Sequence, residues 1–429
     1  MIRLLLALVL IGAMLAGAVA ALNLRDEDPV AEIQPADAAK AADQAVIDRG
    51  RYLALAGNCA GCHTARGGEP YAGGTGIDTP FGTVHASNLT PDAATGIGEW
   101  SASHFWRAMH NGRSRDGRLL YPAFPYPSYT RITREDSDAI YAWLRTLKPV
   151  VRPNTTDTLR FPYNTQSSLA VWRALFFKPG THEPEAGRSA SWNRGAYLVN
   201  GLGHCNACHS GRNLFGATSG TLDLSGGLIP MQNWYAPSLQ AADEAGVADW
   251  ELRDIVDLLG KGVSRRGWVT GPMADVVFRS TQHLSPPDLQ AVAVFLKDLP
   301  QAPPQLQPEA AAGAFDATVQ QGRKLYESNC ADCHGKQGEG VPGAYPPLAR
   351  NRGVTMDPPS NVVRIVLGGG FPPATAGNPR PYGMPPYATA LNDAEIAAVL
   401  TMIRGSWGNN GSPVTTLDVH RYRSGSSGG

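Results

Sequence analysis

Residues 59–63 read CAGCH, residues 205–209 read CNACH and residues 330–334 read CADCH. These three pentapeptides hold all six cysteines of the 429-residue chain. C-x-x-C-H is the attachment signature of c-type haem: two thiols one helical turn apart form thioethers to the haem vinyl groups, and the adjacent His offers a nitrogen to iron. Redox C-x-x-C pairs and zinc knuckles share the cysteine spacing, but neither requires His directly after the second Cys. Disulfides three residues apart would make a poor scaffold for the long loops between the motifs. The spacing therefore predicts three covalently attached haem c groups, with iron ligated by His63, His209 and His334 and porphyrin held by Cys59, Cys62, Cys205, Cys208, Cys330 and Cys333.

The flanking sequence repeats with the motifs. RGRYLALAGN precedes Cys59, RGAYLVNGLGH precedes Cys205 and QGRKLYESN precedes Cys330, each with a Gly and an aromatic on a short helical stretch. Downstream, HASNL (85–89) and YAPSL (235–239) lie 150 positions apart, as do Trp100 and Trp250, and AYPPL (344–348) is a third version. Each unit closes on an amphipathic helix: TREDSDAIYAWLRTL, SPPDLQAVAVFLKDL and NDAEIAAVLTMIR. The first opens with a capping pattern at Thr133 to Asp136. The order helix, C-x-x-C-H, long loop, helix, long loop, helix resembles the plan of class I cytochrome c. The expected fold is all-α: three tandem domains over 45–150, 188–301 and 314–407, followed by a flexible tail over 408–429. The Pro-rich stretch LPQAPPQLQPEAAAGAF before the third domain reads as an extended spacer.

Composition agrees. The 48 Gly and 34 Pro are too many for a continuous helical bundle and suit short helices in structured loops. Lys plus Arg equals Asp plus Glu, 37 against 37, so no net field draws the chain to nucleic acid. At the N-terminus an apolar run from Leu4 to Leu22 follows Arg3. Residues 1–24 thus read as a signal peptide or membrane anchor: the run is longer than an ordinary signal core and close to a bilayer span, while Ala18, Val19 and Ala20 suit cleavage. Either reading places the folded part on the periplasmic side of the cytoplasmic membrane, and the polar stretch 26–44 links the apolar run to it.

In this plan the sixth iron position is filled from the loop between the second and third helices, commonly by Met, a soft neutral ligand. GWVTGPMADVVFRS places Met273 there and NPRPYGMPPYATAL places Met384 there. The first repeat has YPAFPYPSYT, and Phe124 cannot ligate iron. Met109 aligns with Leu259 and reads as core packing. His85 aligns with Tyr235 on the side already served by the axial His. His104 and His110 align with Asp254 and Gly260 and read as surface residues. The first haem is therefore expected to be five-coordinate or loosely held by a ligand from elsewhere. SSLAVWRALFF (167–177) is apolar enough to dock on a partner or a membrane, with packing on the chain's own domains favoured. Arg113, Arg115 and Arg118 are candidates for haem propionates.

The segments TPFGTVHASNLTPDAATGIGEWS, DGRLLYPAFPYPSYTRIT, GPMADVVFRSTQHLSPPDLQAVAVFLKDL and GMPPYATALNDAEIAAVLTMIRGSWGNN resemble the three-haem cytochrome c subunits of bacterial membrane-bound dehydrogenases. The resemblance spans about 45–410 and implies an electron-transfer subunit with no catalytic residues of its own. Its partners would be a catalytic dehydrogenase subunit of flavin, quinoprotein or molybdenum type and membrane quinone or a terminal oxidase. The alternative is a multi-haem reductase or peroxidase with the open first haem as reaction centre; the aromatic and Pro-rich loop offers it only Tyr121 or Tyr126 as acid-base groups.

Overall fold

The computed structural model describes residues 1–25, 27, 43–218, 220, 223–303 and 316–424. Most of the polar linker and of the Pro-rich spacer, and the last five residues of the tail, lie outside the described residues. The chain is mostly helical and divides into two compact units. Unit 1 comprises 1–188, 196–207 and 212–222; unit 2 comprises 189–195, 208–211 and 223–429. The division passes through the second C-x-x-C-H motif, so the units do not coincide with the repeats.

Unit 1 opens with α1 (Ile2–Asn23) and α2 (Gln44–Ala56). A hairpin follows, β1 (Gly76–Thr79) with β2 (Gly82–His85), antiparallel with Ile77 opposite Val84. The sequence pattern had suggested only loop here. Next come α3 (Ala102–Asn111), α4 (Arg134–Leu144) and α5 (Gln166–Phe176). α4 starts where its sequence says it should: the Thr133 hydroxyl accepts from the Asp136 N–H, satisfying one of the helix's orphan donors. Its buried face carries Ala139, Ile140, Trp143 and Leu144 and lies against α2.

α6 (Ala190–Tyr197) begins the second repeat. Unit 2 continues with the hairpin β3 (Gly227–Ile229) and β4 (Trp234–Ala236), then α7 (Leu252–Lys261), α8 (Pro272–Arg279) and α9 (Pro286–Lys297). The third repeat supplies α10 (Asp316–Asn329), α11 (Ser360–Gly368), α12 (Asp393–Arg404) and α13 (Thr416–Ser424).

One helix crossing recurs three times, and a glycine makes it possible. A Cβ on Gly50 would stand 1.9 Å from the Ala139 carbonyl oxygen, one on Gly195 2.1 Å from that of Ala291, and one on Gly322 2.2 Å from that of Ala398. In each case the next obstacle is the Cβ of the residue four positions on: Trp143, Phe295 and Met402. Only Gly lets the two backbones approach this closely. The Arg preceding Gly anchors the crossing in two repeats, through Arg49 to Asp136 and Arg194 to Asp288. The second repeat has one residue more than the first between this Gly and the first Cys, and its helix continues as a π-helical turn over Leu198–Leu202.

The tail departs from expectation. Residues 408–423 are folded, because α13 buries Val419 and Tyr422 in a cluster with Val363, Leu367, Ile396 and Leu400. Arg423 fastens it, its guanidinium donating to the carbonyls of Ala388 and Leu391 and pairing with Asp393. A two-residue apolar contribution is easily hidden in a polar segment, which explains why TLDVHRYRS did not read as core.

Candidate functional site

The three C-x-x-C-H segments each form a single helical turn: Cys59–His63, Asn206–His209 and Ala331–His334. In the first two repeats the residue before the first Cys has a left-handed backbone, Asn58 at φ 51° and His204 at φ 37°. Asn and His tolerate that region better than most residues, and the turn swings the chain off the preceding helix. No disulfide joins any of the six cysteines. Burial, with a smaller contribution from Cys62, pushes the Cys59 thiol up to about 12; burial and Cys333 push Cys330 up to about 11.

Each motif histidine is held in the same way. His63 Nδ1 lies 2.7 Å from the Ser87 carbonyl oxygen, His209 Nδ1 2.7 Å from that of Pro237, and His334 Nδ1 3.0 Å from that of Pro346. The acceptors are the third residues of HASNL, YAPSL and AYPPL, so the repeated downstream segments exist to present a carbonyl. With Nδ1–H donated to a carbonyl, Nε2 keeps its lone pair and the ring has a fixed direction, the arrangement an iron-ligating imidazole requires. Burial lowers the pKa of all three histidines, opposed by the carbonyl contact, which favours the neutral ligand form. Paired thiols, a neutral ring and a single open nitrogen fit covalent haem c.

The acceptor segments are themselves secured. Tyr235 N–H donates to Asn361 Oδ1 at 2.9 Å, and Asn361 Nδ2 returns a bond to the Tyr235 carbonyl at 2.7 Å. This pins the chain two residues before Pro237. In the first repeat, Asn88 follows the acceptor Ser87 and donates to the Val150 carbonyl while its own N–H is taken by Asn154.

The candidate sixth ligands differ in setting. Met384 lies in an extended segment bridged to Gly370, its N–H donating to the Gly370 carbonyl at 2.8 Å and its carbonyl accepting in return at 3.0 Å. Met273, expected in a loop, is instead in the first turn of α8, directly after Pro272, and packs with Val269, Ala274 and Val277. Pro at the first helical position preorganises that start, a signal present in the sequence as GPM. Phe124 sits in an aromatic cluster, 5.4 Å from the Tyr129 ring and 6.4 Å from that of Tyr126.

The proposed substitutes in the first repeat have other occupations. Met109, the sole Met in 45–150, is buried on α3 as expected. His104 is half-buried and serves α3 as half of a capping box with Ser101. His110, expected at the surface, is 5% exposed: it lies one turn after Trp106 on the buried face, stacked on that ring at 4.3 Å. The alignment with Gly260 hid this, since a glycine says nothing about which way its counterpart points. Arg113, Arg115 and Arg118 pair with Glu27, Glu99 and Asp116.

Two residues next to the motifs were not read from the sequence. Tyr129 Oη donates to the Gly57 carbonyl at 3.2 Å, and His204 Nε2 lies 3.4 Å from the same oxygen, with the two rings edge to face at 5.5 Å. The segment before Cys59 therefore meets the segment before Cys205. Neither residue belongs to a motif, so only the fold reveals the meeting.

A family model described as cytochrome c matches residues 47–148 and 319–407, leaving the middle repeat outside. The cytochrome c subunit of the quinone alcohol dehydrogenase of Gluconobacter oxydans is 38% identical over 402 residues, covering 90% of this chain and 84% of that protein. Its counterpart in Gluconacetobacter polyoxogenes is 39% identical over 399 residues, covering 89% and 85%. The gluconate 2-dehydrogenase cytochrome c subunit of Pantoea cypripedii is 37% identical over 398 residues, covering 89% and 90%. Long alignments at this identity join what the repeated imidazole geometry already indicates: the chain belongs to the cytochrome c subunits of bacterial dehydrogenases, haem c proteins of electron transfer.

Proposed function

We propose that this chain is the electron-transfer subunit of a membrane-bound dehydrogenase complex, built as three cytochrome c domains over 45–150, 188–301 and 314–407. Each domain holds one haem c: through Cys59 and Cys62, through Cys205 and Cys208, and through Cys330 and Cys333. His63, His209 and His334 would ligate the three irons, and Met273 and Met384 would supply a second ligand in the second and third domains. The observation that carries this reading is the Nδ1-to-carbonyl contact made three times, at 2.7, 2.7 and 3.0 Å.

Bound haem supplies a reversible one-electron couple at iron. The chain's part is to fix where that couple sits and how it is tuned. The carbonyls of Ser87, Pro237 and Pro346 orient the imidazoles and raise their basicity. The glycine crossings hold each motif against its closing helix. Met sulfur favours the reduced metal in the second and third sites; Phe124 offers the first site no such ligand, so that site has a lower potential and an open or weakly closed position. Electrons enter from a catalytic partner, of flavin, quinoprotein or molybdenum type, and leave to membrane quinone or a terminal oxidase. α1 holds the assembly on the periplasmic side of the cytoplasmic membrane.

The relatives named as dehydrogenase subunits support a partner of that kind. The test is to solubilise native membranes under mild detergent, purify this chain with whatever remains bound, and supply candidate alcohols, sugars and aldehydes anaerobically. The expected result is a co-purifying flavin, quinone-cofactor or molybdenum subunit whose substrate reduces the haems. A chain that purifies alone and turns over peroxide would replace the relay by the reductase reading.

A further inference from the structure

The exit of α1 from its apolar stretch is built into unit 1. Asn23 is buried at the end of that helix; its Nδ2 donates to the Ala170 carbonyl at 2.8 Å, and its Oδ1 accepts from Arg173 Nε at 2.8 Å. Both partners lie on α5. The Asn23 carbonyl accepts from Arg113 at 3.2 Å, and Arg25 reaches the Phe177 carbonyl at 3.4 Å. α1 has 22 residues and is, among the described residues, the one helix long and apolar enough to cross a bilayer. At 1.5 Å per residue it extends about 33 Å, close to the roughly 30 Å of a hydrocarbon core. Its last turn therefore falls at the headgroup boundary, and α5, hydrogen-bonded to that turn, is held there with it.

α5 is amphipathic in a way the first haem domain does not use up. Leu169 and Arg173 face inward; Val171 and Leu175 are exposed, Leu175 by 68%. Alongside, Trp172 Nε1 donates to the Phe215 carbonyl at 2.9 Å and the Phe176 ring lies 5.9 Å from that of Phe215, tilted against it, which brings in the exposed pair Leu214 and Phe215. Phe161, 82% exposed, precedes α5. Two exposed large apolar side chains, Val171 and Leu175, thus lie on the element tied to the membrane helix, with exposed Leu214 and Phe215 on the segment packed against it and exposed Phe161 shortly before it in the chain. Singly such residues need no explanation, but several on and against one helix do, with exposed Arg25 bonded at the helix's C-terminal end.

We infer that α5 with Leu214 and Phe215 is a second membrane contact, lying in the headgroup and acyl boundary beside α1 and fixing the orientation of unit 1 on the bilayer. The partner is lipid, because the hydrogen bonds of Asn23 hold α5 at the depth of the boundary before any other protein is considered. A helix that presents its apolar side to that depth gains area-dependent binding without spanning. The inference rests on the anchoring role proposed for α1.

The test uses the full haem-loaded chain in vesicles of phosphatidylethanolamine and phosphatidylglycerol. Single-cysteine variants Leu175→Cys, Phe215→Cys and, as a water-facing reference on α2, Asp48→Cys are reacted with a membrane-impermeant sulfonated maleimide. Reaction is scored by mass, and the mature N-terminus is determined on the same samples. The expected result is a retained α1 and at least ten-fold slower reaction at 175 and 215 than at 48. A retained α1 with all three rates alike overturns the lipid contact and leaves the anchor standing. Rates alike in vesicles but slow at 175 and 215 in the native complex also overturn it and assign the face to the catalytic partner. A cleaved α1 with slow rates removes the anchor and upholds the contact.

Discussion

At the scale of single residues, the proposed difference between the repeats lies in Phe124, Met273 and Met384. Phe124→Met places a thioether where the other repeats have one. It should abolish carbon monoxide binding by the reduced protein and raise one haem potential, both followed by optical titration. Met384→Leu does the reverse: a second molecule of carbon monoxide should bind per chain, with one potential lowered, since the extended segment around Met384 stays bonded to Gly370 through its backbone. The motif cysteines and histidines were legible because haem attachment fixes their spacing, and the absence of Met at position 124 because position in a repeat can be compared. The carbonyl acceptors at Ser87, Pro237 and Pro346 were legible only as repeated segments, since a backbone oxygen has no residue code. Tyr129 and His204 were not legible, because their meeting depends on two repeats folding together.

At the scale of elements, the glycine crossings make a sharper demand than helix propensity. Gly322→Ala would set a methyl carbon 2.2 Å from the Ala398 carbonyl oxygen, so α10 and α12 must move apart. The expected cost is about 1–3 kcal/mol, the range for overpacking, measured as a lowered thermal midpoint with the haem spectrum of the other repeats unchanged. Val419→Ala empties a fully buried position on α13 and should cost about 2 kcal/mol, whereas a flexible tail would show no effect. The closing helices were legible from their apolar period and the first also from its cap, Thr133 bonding the third N–H; Asn392 caps α12 in the same way without having been read from the sequence. The two hairpins were not, because strands of three or four residues carry too little alternation to show. α13 escaped notice for a related reason: its core is two residues, Val419 and Tyr422, among charges.

At the scale of the whole molecule, one C-x-x-C-H unit is written three times, and on the proposed reading the three differ mainly in whether a Met is at hand, Met273 and Met384 in two repeats and Phe124 in the first. Mature protein should carry three haems per chain, counted by its pyridine haemochrome. The measurement that tests the central claim most directly is a carbon monoxide titration of the fully reduced, purified protein against that count. Binding near one per chain is expected, at the site that Phe124 leaves without sulfur. No binding would contradict it: the first iron would then be closed by a ligand that neither the sequence nor the placement of Met109, His104 and His110 identifies.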